Sequence, residues 1–233
     1  CLFGEKSIDF KLVFGGNGKV KGLFFLPADS KERYKLPAYY DSTKVSERSV
    51  IIENGPYRLP GTLTYPSKGK FFAAVVLVHG GPWVRHGHWQ WEPMAQFLAS
   101  RGWLVIEPEF RGSDGYGQAH LEAGFRQWGQ AMQSDVADAL LWAQKQKLSS
   151  DKACIAGASY GGYATLMGLV RDPQLYRCGI SWVAVTDLML LVKGSRLVDD
   201  DLSPSSRAFT MPEMVGDAVK DREMLLANSP VEL

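Results

Sequence analysis

The sequence has no excess of positive or negative charge and no long apolar run, and it contains only three cysteines. Its 26 basic and 25 acidic residues give a formal net charge of +1, and the basic residues are scattered, so nothing indicates a nucleic-acid partner. No apolar stretch approaches the roughly 20 residues of a membrane-spanning helix, so we expect no membrane partner. Three cysteines cannot all pair, and we expect Cys154 and Cys178, in two predicted core strands, to be buried free thiols.

Histidine is also scarce and unevenly placed. The four histidines are His79, His86, His88 and His120, so residues 121–233 contain none. His86 and His88 stand two positions apart without a carboxylate or cysteine partner, a pattern too weak to indicate a metal site. We therefore expect no metal ion and no other cofactor.

The order of apolar runs and helical patterns predicts an α/β fold. Four short β-rich apolar runs are typical of strands covered on both faces: residues 73–78, 103–106, 153–156 and 178–184. Helix-forming stretches alternate with them, which indicates a mostly parallel sheet with helices on both faces. Residues 49–53 and 59–65 are expected to be antiparallel edge strands. Two helices are expected to have one apolar face each: Trp91, Met94, Phe97 and Leu98 in the first, and Met132, Val136, Leu140 and Ala143 in the second.

The first 45 residues have a different pattern. Two β-rich runs, residues 8–14 and 20–25, are separated by a glycine-rich connection, which predicts a hairpin. An isolated hairpin is barely stable in water. We therefore expect residues 1–45 to be a β-hairpin and linker that remain from an upstream domain, and residues 46–233 to form the α/β domain.

Residues 157–161 have the form Gly-x-Ser-x-Gly, and they lie between an apolar run and a helix-forming stretch. A serine at such a strand-to-helix turn is held in strained backbone geometry with its hydroxyl exposed. The flanking glycines leave room where a Cβ would collide. The segment therefore predicts that Ser159 is the nucleophile of an acyl-transfer reaction.

A second motif, His-Gly-Gly-Pro at residues 79–82, ends the run 73–78. Acyl transfer places negative charge on the former carbonyl oxygen, and fixed backbone N–H groups can stabilise that charge. In serine hydrolases of this type one donor follows the nucleophile and the other lies in a loop with two or more glycines. We expect the N–H groups of Tyr160 and Gly81 to be these donors.

A third motif, Arg-Gly-Ser-Asp-Gly-Tyr-Gly at residues 111–117, follows the run 103–106. Together the three motifs resemble those of the prolyl oligopeptidase family, which carries His-Gly-Gly-Pro, Arg-Gly-Ser-x-Gly-Tyr-Gly and Gly-x-Ser-Tyr-Gly-Gly-Tyr in this order. The resemblance runs from about Val50 to the end of the chain. It implies an α/β-hydrolase fold, a Ser-Asp-His triad and cleavage of short peptides, although some relatives act on esters.

Trp83, just past the oxyanion loop, is a candidate for a wall that faces the substrate, and Tyr163 is a further candidate for substrate binding. The resemblance implies an apolar pocket lined by Val185, Phe209, Met211 and Met214. For Trp83, packing beneath the loop is an equal alternative to a substrate-facing role. The acidic run 199–201 is interpreted as a solvated loop, with a grip on a substrate amino terminus as the alternative. For Arg111 we expect a structural ion pair with Asp135.

The base of the triad has no candidate in the expected part of the chain, and without it the many aspartates that follow Ser159 do not identify the acid. In this fold the acid and the base follow the nucleophile, the acid first and then the histidine, but no histidine follows Ser159. His79 is a poor substitute because its motif places it in the oxyanion loop. In relatives, the segment that resembles Asn228–Val231 comes just before the strand that leads to the catalytic aspartate. We therefore expect the hydrolase domain to be incomplete at its C-terminus, with acid and base supplied beyond residue 233.

The sequence thus predicts a serine peptidase that hydrolyses short peptides through an acyl-enzyme on Ser159, and that is inactive as this chain alone. A carboxylesterase with the same machinery is the first alternative. A hydrolase-like binding module without catalysis is the second. The expected partner is a short peptide or a small acyl substrate, and the sequence leaves homo-oligomerisation and cellular location open.

Overall fold

The structure is a computed structural model that describes residues 2–3, 6–14, 20–27, 40–55, 57–85, 92–194 and 203–233. The chain divides into two compact units, Cys1–Tyr40 and Asp41–Leu233. The expected boundary lay five residues later, within the first strand of the second unit.

The first unit contains a three-stranded antiparallel sheet in the order β1-β2-β3. Its strands are β1 (Leu2–Phe3), β2 (Lys6–Phe14) and β3 (Val20–Pro27). The register of β2 and β3 runs from Ile8 opposite Pro27 to Phe14 opposite Val20. The predicted hairpin is confirmed, and its origin in an upstream domain stays a prediction.

The second unit is built on a six-stranded sheet in the order β4-β5-β7-β6-β8-β9. The strands are β4 (Val45–Asn54), β5 (Tyr57–Pro66), β6 (Phe72–Val78), β7 (Leu104–Pro108), β8 (Ser149–Ala158) and β9 (Cys178–Trp182). The pairs β4–β5 and β5–β7 are antiparallel. The pairs β7–β6, β6–β8 and β8–β9 are parallel. The predicted α/β-hydrolase sheet with its antiparallel edge is thereby confirmed.

Seven α-helices connect or follow these strands in the described residues. They are α1 (Pro93–Ala99), α2 (Gln118–Glu122), α3 (Ala131–Lys145), α4 (Tyr160–Arg171), α5 (Leu188–Lys193), α6 (Met211–Met214) and α7 (Arg222–Ala227). No helix among the described residues is long and apolar enough to cross a membrane. The larger of two apolar clusters contains the α3 side chains Met132, Val136, Leu140 and Ala143, as their spacing predicts.

The apolar face predicted for α1 is wrong for Met94 and Phe97, whereas Leu98 packs against the smaller apolar cluster as expected. Its buried residues are Ala95, Gln96 and Ala99, whereas Met94 and Phe97 are about half exposed. Gln96 can be buried because its amide donates to the Glu47 carboxylate on β4 at 2.8 Å. The Phe97 ring lies instead beneath the Arg101 guanidinium, 3.8 Å from ring centre to guanidinium carbon. Trp91 lies outside the described residues.

The prediction of two buried free thiols is also wrong, because Cys154 and Cys178 form a disulfide. The two residues are register partners on the neighbouring parallel strands β8 and β9. Their Cα atoms lie 4.8 Å apart, within reach of a disulfide. Cys154 is buried and Cys178 is exposed.

The expected ion pair between Arg111 and Asp135 is confirmed. The guanidinium donates two hydrogen bonds to the carboxylate, at 2.8 and 2.7 Å, and the Arg111 backbone N–H donates a third at 2.9 Å. Asp135 has no exposed surface, and the Arg111 side chain is 12% exposed. The pair therefore fixes the start of the loop after β7 to helix α3.

We expect Arg111→Met to lower the free energy of unfolding by about 3 kcal/mol, because it leaves a buried carboxylate without its main counter-charge. Lys44→Met is the matched control, since Lys44 and Asp41 form an exposed pair with side chains 70% and 42% exposed. That control should change stability by less than about 1 kcal/mol. Urea-induced unfolding measures both, and equal effects would contradict a structural role for the buried pair.

Candidate active site

Ser159 lies at the turn between strand β8 and helix α4. Its backbone angles are φ 56° and ψ −117°. Residues other than glycine rarely adopt a positive φ of this kind. Ser159 is exposed, although Tyr160 next to it is buried. The chain therefore holds a strained serine at the carboxyl end of a parallel strand, with its side chain accessible.

Two glycines allow this turn to pack against strand β6. A Cβ on Gly161 would overlap the carbonyl oxygen of Val78, and a Cβ on Gly157 would lie 2.5 Å from the Gly161 carbonyl carbon. Real Cβ atoms do not approach other atoms so closely. The Gly-x-Ser-x-Gly spacing is therefore required by the contact between β6, β8 and the start of α4.

Strand β9 holds the other side of the turn. The Ser159 N–H donates to the Trp182 carbonyl at 3.1 Å, and the Ser181 hydroxyl donates to the Gly162 carbonyl at 3.1 Å. A Cβ on Gly162 would lie 2.9 Å from the Trp182 oxygen. Hydrogen bonds and close packing thus fix the backbone of Ser159 from both neighbouring strands.

The glycine loop after β6 passes directly beside Ser159. A Cβ on Gly80 would lie 3.2 Å from the Ala158 oxygen and 3.6 Å from the Ser159 Cβ. Gly81 follows with φ +116°, which a side chain would disfavour. The two segments that carry the expected donors, Tyr160 and Gly81, therefore meet at Ser159.

His79 anchors this loop through both ring nitrogens. Nδ1 lies 2.7 Å from the Gly80 carbonyl oxygen. Nε2 lies 3.1 Å from the Ser113 hydroxyl and 3.5 Å from a carboxylate oxygen of Glu109. The imidazole is buried and stacks on Phe110 with ring centres 4.4 Å apart. Sequence reasoning missed Glu109 and Ser113, although an acidic residue directly after an apolar strand indicates a buried polar contact.

Both described histidines have ring nitrogens in contacts with groups other than Ser159. His79 is held by the contacts above, and Nε2 of His120 lies 3.0 Å from the Phe110 carbonyl oxygen. His86 and His88 lie outside the described residues. Within the described ranges, no group of three His, Cys, Asp or Glu side chains could hold a metal ion.

Tyr160 can contribute its backbone N–H but not its phenol. The side chain has no exposed surface, and burial raises the pKa of the phenol well above its usual range. The phenol therefore stays neutral and does not exchange protons with substrate. Its N–H lies at the N-terminus of the twelve-residue helix α4, where the helix dipole favours negative charge.

The residues expected to bind substrate differ in how exposed their side chains are. Tyr163 is the clearest correction, because its side chain is fully buried in the core and its hydroxyl donates to the Asn228 carbonyl at 2.9 Å. Trp83 and Val185 are half-buried and pack against the larger apolar cluster. Phe209 is 74% exposed. A substrate-binding role of Trp83, Val185 and Phe209 stays a prediction, and the acidic run 199–201 lies outside the described residues.

Comparison with known proteins identifies the family of this chain. The signature of the prolyl oligopeptidase family matches residues 89–203. The chain belongs to the prolyl oligopeptidase family. It is 43% identical over 119 residues to dipeptidyl aminopeptidase BIII of Pseudoxanthomonas mexicana, which covers 51% of this chain and 17% of that protein. It is 35% identical over 163 residues to dipeptidyl peptidase family member 6 of Caenorhabditis elegans, which covers 67% of this chain and 21% of that protein.

The chain thus spans about a fifth of the length of these curated relatives. Among solved structures, a puromycin-hydrolyzing peptidase of Mycobacterium tuberculosis superposes with a TM-score of 0.73 at 19% identity, over 98% of this chain and 35% of the other. An acylaminoacyl peptidase of Pyrococcus horikoshii gives 0.68 at 22% identity, over 80% and 29%. At these low sequence identities, the superpositions show that the two structures and this chain share a fold.

We expect Gly161→Ala to lower the free energy of unfolding by about 3 kcal/mol or more, because its Cβ has no room beside Val78. Gly55→Ala is the control, since a Cβ there meets nothing within 4 Å although φ is +53°, and it should lose only about 1–2 kcal/mol. Urea unfolding compares the two variants. Equal losses would contradict the tight contact between the turn and β6.

Proposed function

We propose that this chain carries the nucleophile and the oxyanion donors of a serine peptidase that hydrolyses short peptides. The observation that carries the proposal is the geometry of Ser159, an exposed serine with φ 56° at a strand-to-helix turn. Glycine contacts hold the His-Gly-Gly loop against this serine. This combination favours acyl transfer over a binding module, because a binding surface does not require a strained serine.

In the proposed reaction, the Ser159 hydroxyl attacks the carbonyl carbon of a peptide bond as its proton passes to a base. The carbonyl oxygen becomes an oxyanion, to which the N–H groups of Tyr160 and Gly81 donate. The carbon–nitrogen bond then breaks, the base returns the proton to the leaving amine, and an acyl-enzyme remains on Ser159. Water, activated by the same base, hydrolyses the ester and regenerates the serine.

The base is proposed to be an imidazole from outside the described residues, oriented by a carboxylate. His79 and His120 make other contacts with their ring nitrogens, so neither is assigned this role. Every proton and electron pair in the scheme comes from side chains, substrate and water. The proposed reaction therefore needs no cofactor.

The names of the relatives favour a peptide over a simple ester. The two relatives described above are named as a dipeptidyl aminopeptidase and a dipeptidyl peptidase family member, and the superposed structures are named as peptidases. We therefore propose short peptides as the substrate class. A free or an acylated amino terminus on the substrate is the next distinction to draw.

We expect Ser159→Ala to lower hydrolysis of a short peptide anilide by the intact protein by at least about 10³-fold, because it removes the covalent nucleophile. Labelling by a fluorophosphonate should be lost at the same time. Ser100→Ala, which changes an exposed serine at the end of α1, is the control and should keep wild-type rates. Retention of more than about a tenth of the wild-type rate by Ser159→Ala would contradict the assignment.

We expect the intact protein to hydrolyse a dipeptidyl anilide with a higher kcat/KM than a short acyl ester of the same leaving-group pKa. A third substrate, the same dipeptidyl anilide with an acetylated amino terminus, distinguishes aminopeptidase-like from acylpeptide-like recognition. Because kcat/KM compares transition-state binding, the three values rank the substrate classes directly. A clear preference for the ester would favour a carboxylesterase.

A further inference from the structure

Trp128 touches both segments that carry the proposed oxyanion donors. Its ring centre lies 4.6 Å from that of Tyr160, edge to face, and 6.2 Å from that of Trp83. Tyr160 carries one proposed donor N–H, and Trp83 stands two residues after Gly81, which carries the other. Aromatic rings at these separations form stabilising contacts. A single indole therefore packs against both sides of the site.

The loop that carries Trp128 is fixed on both sides of it. Before it, the Arg126 N–H donates to the Met214 carbonyl at 2.8 Å, and the Arg126 guanidinium pairs with Asp221. After it, the Arg171 guanidinium donates to the carbonyl oxygens of Gly129 and Gln130. These contacts connect the loop with helix α4 and with the segment before α7. Trp128 is thus held by the backbone as well as by the rings around it.

The indole of Trp128 contributes shape and not hydrogen bonding. Trp128 is 2% exposed, and its Nε1 has no hydrogen-bond partner within the described part of the chain. A buried donor without a partner is unfavourable for stability, so such groups are rare in native proteins. A phenylalanine would avoid this penalty. The larger surface of the indole fills the space between Tyr160 and Trp83.

We propose that Trp128 is a positioning residue that sets the distance between the two oxyanion donors. It does not touch substrate or the reacting atoms, and it acts through the Tyr160 and Trp83 side chains on the backbone N–H groups of Tyr160 and Gly81. This inference rests on the proposed function, because it assumes that an oxyanion forms beside Ser159. A smaller ring at residue 128 would let the two donor segments shift relative to each other, which weakens binding of the transition state more than binding of the substrate.

The test compares Trp128→Phe and Trp128→Leu with Trp142→Phe in the intact protein. Trp142 lies on α3 and packs against the same apolar cluster, and it has no ring contact with Tyr160 or Trp83 among the described residues. Loss of one whole donor lowers kcat by about 10²–10³, so we expect about a 10-fold loss for Trp128→Phe and about 100-fold for Trp128→Leu. KM should stay within about twofold, and Trp142→Phe should keep the wild-type kcat.

A tetrahedral inhibitor separates positioning from simple loss of folded protein. Titration of active sites with an irreversible fluorophosphonate corrects kcat for the folded fraction of each variant, and a peptide boronate then reports on the oxyanion site. Its inhibition constant should rise in step with the loss of kcat/KM in the Trp128 variants, because the boronate places an oxygen where the oxyanion forms. A fall in kcat that vanishes after this correction, or an unchanged inhibition constant, would overturn the positioning role.

The Ser159→Ala variant keeps the two proposals apart. If Ser159→Ala is inactive and Trp128→Phe is no slower than Trp142→Phe, the proposed function stands and the positioning role is wrong. If Ser159→Ala hydrolyses the peptide at the wild-type rate, the proposed function fails, and the positioning role fails with it. The expected result is an inactive Ser159→Ala, a graded loss in the two Trp128 variants and an unaffected Trp142→Phe.

Discussion

The contact between the turn at Ser159 and strand β6 is the constraint on which the rest of the site depends. Gly157 and Gly161 let the backbone of the turn approach the Val78 carbonyl to a distance that any side chain would prevent. This approach brings the end of β8 level with the end of β6, where the glycine loop begins. Ser159 and the two proposed donors are neighbours because no side chains separate their backbones.

Other interactions keep these backbones in place. The Ser159 N–H donates a hydrogen bond to the Trp182 carbonyl at the end of strand β9. The disulfide between Cys154 and Cys178 joins β9 to β8. On the opposite side, His79 connects the glycine loop to the segment after β7, and Arg111 connects that segment to α3. The strain at Ser159 is therefore balanced by contacts from several elements, as expected when a functional residue has an unfavourable conformation.

The sequence predicts much of this arrangement because its strongest signals are local. Apolar runs predict the buried strands, and the glycine motifs predict the turn at Ser159 and the loop at Gly81, since each depends on backbone geometry within a few residues. The residues that were predicted wrongly depend on tertiary contacts. Gln96 is buried where its amide donates a hydrogen bond to Glu47 on β4, a contact between residues 49 positions apart.

The cysteines and Tyr163 show the same limit. Cys154 and Cys178 pair because β8 and β9 are neighbours in one register, which neither cysteine indicates by itself. Tyr163 belongs to the motif around Ser159, yet its position in α4 directs its side chain to the core, where its hydroxyl donates a hydrogen bond to the Asn228 carbonyl. Trp128 had no sequence signal of its own, because its proposed role depends on contacts among three rings that are distant in sequence.

The most direct test of the account is a crystal structure of the intact protein after reaction with a peptidyl phosphonate. We expect phosphorus bonded to Oγ of Ser159, with the phosphoryl oxygen about 2.7–3.1 Å from the backbone nitrogens of both Tyr160 and Gly81. An adduct on another residue would contradict the assignment of the nucleophile. An adduct on Ser159 whose oxygen points away from both nitrogens would contradict the central claim that these two segments form the oxyanion site.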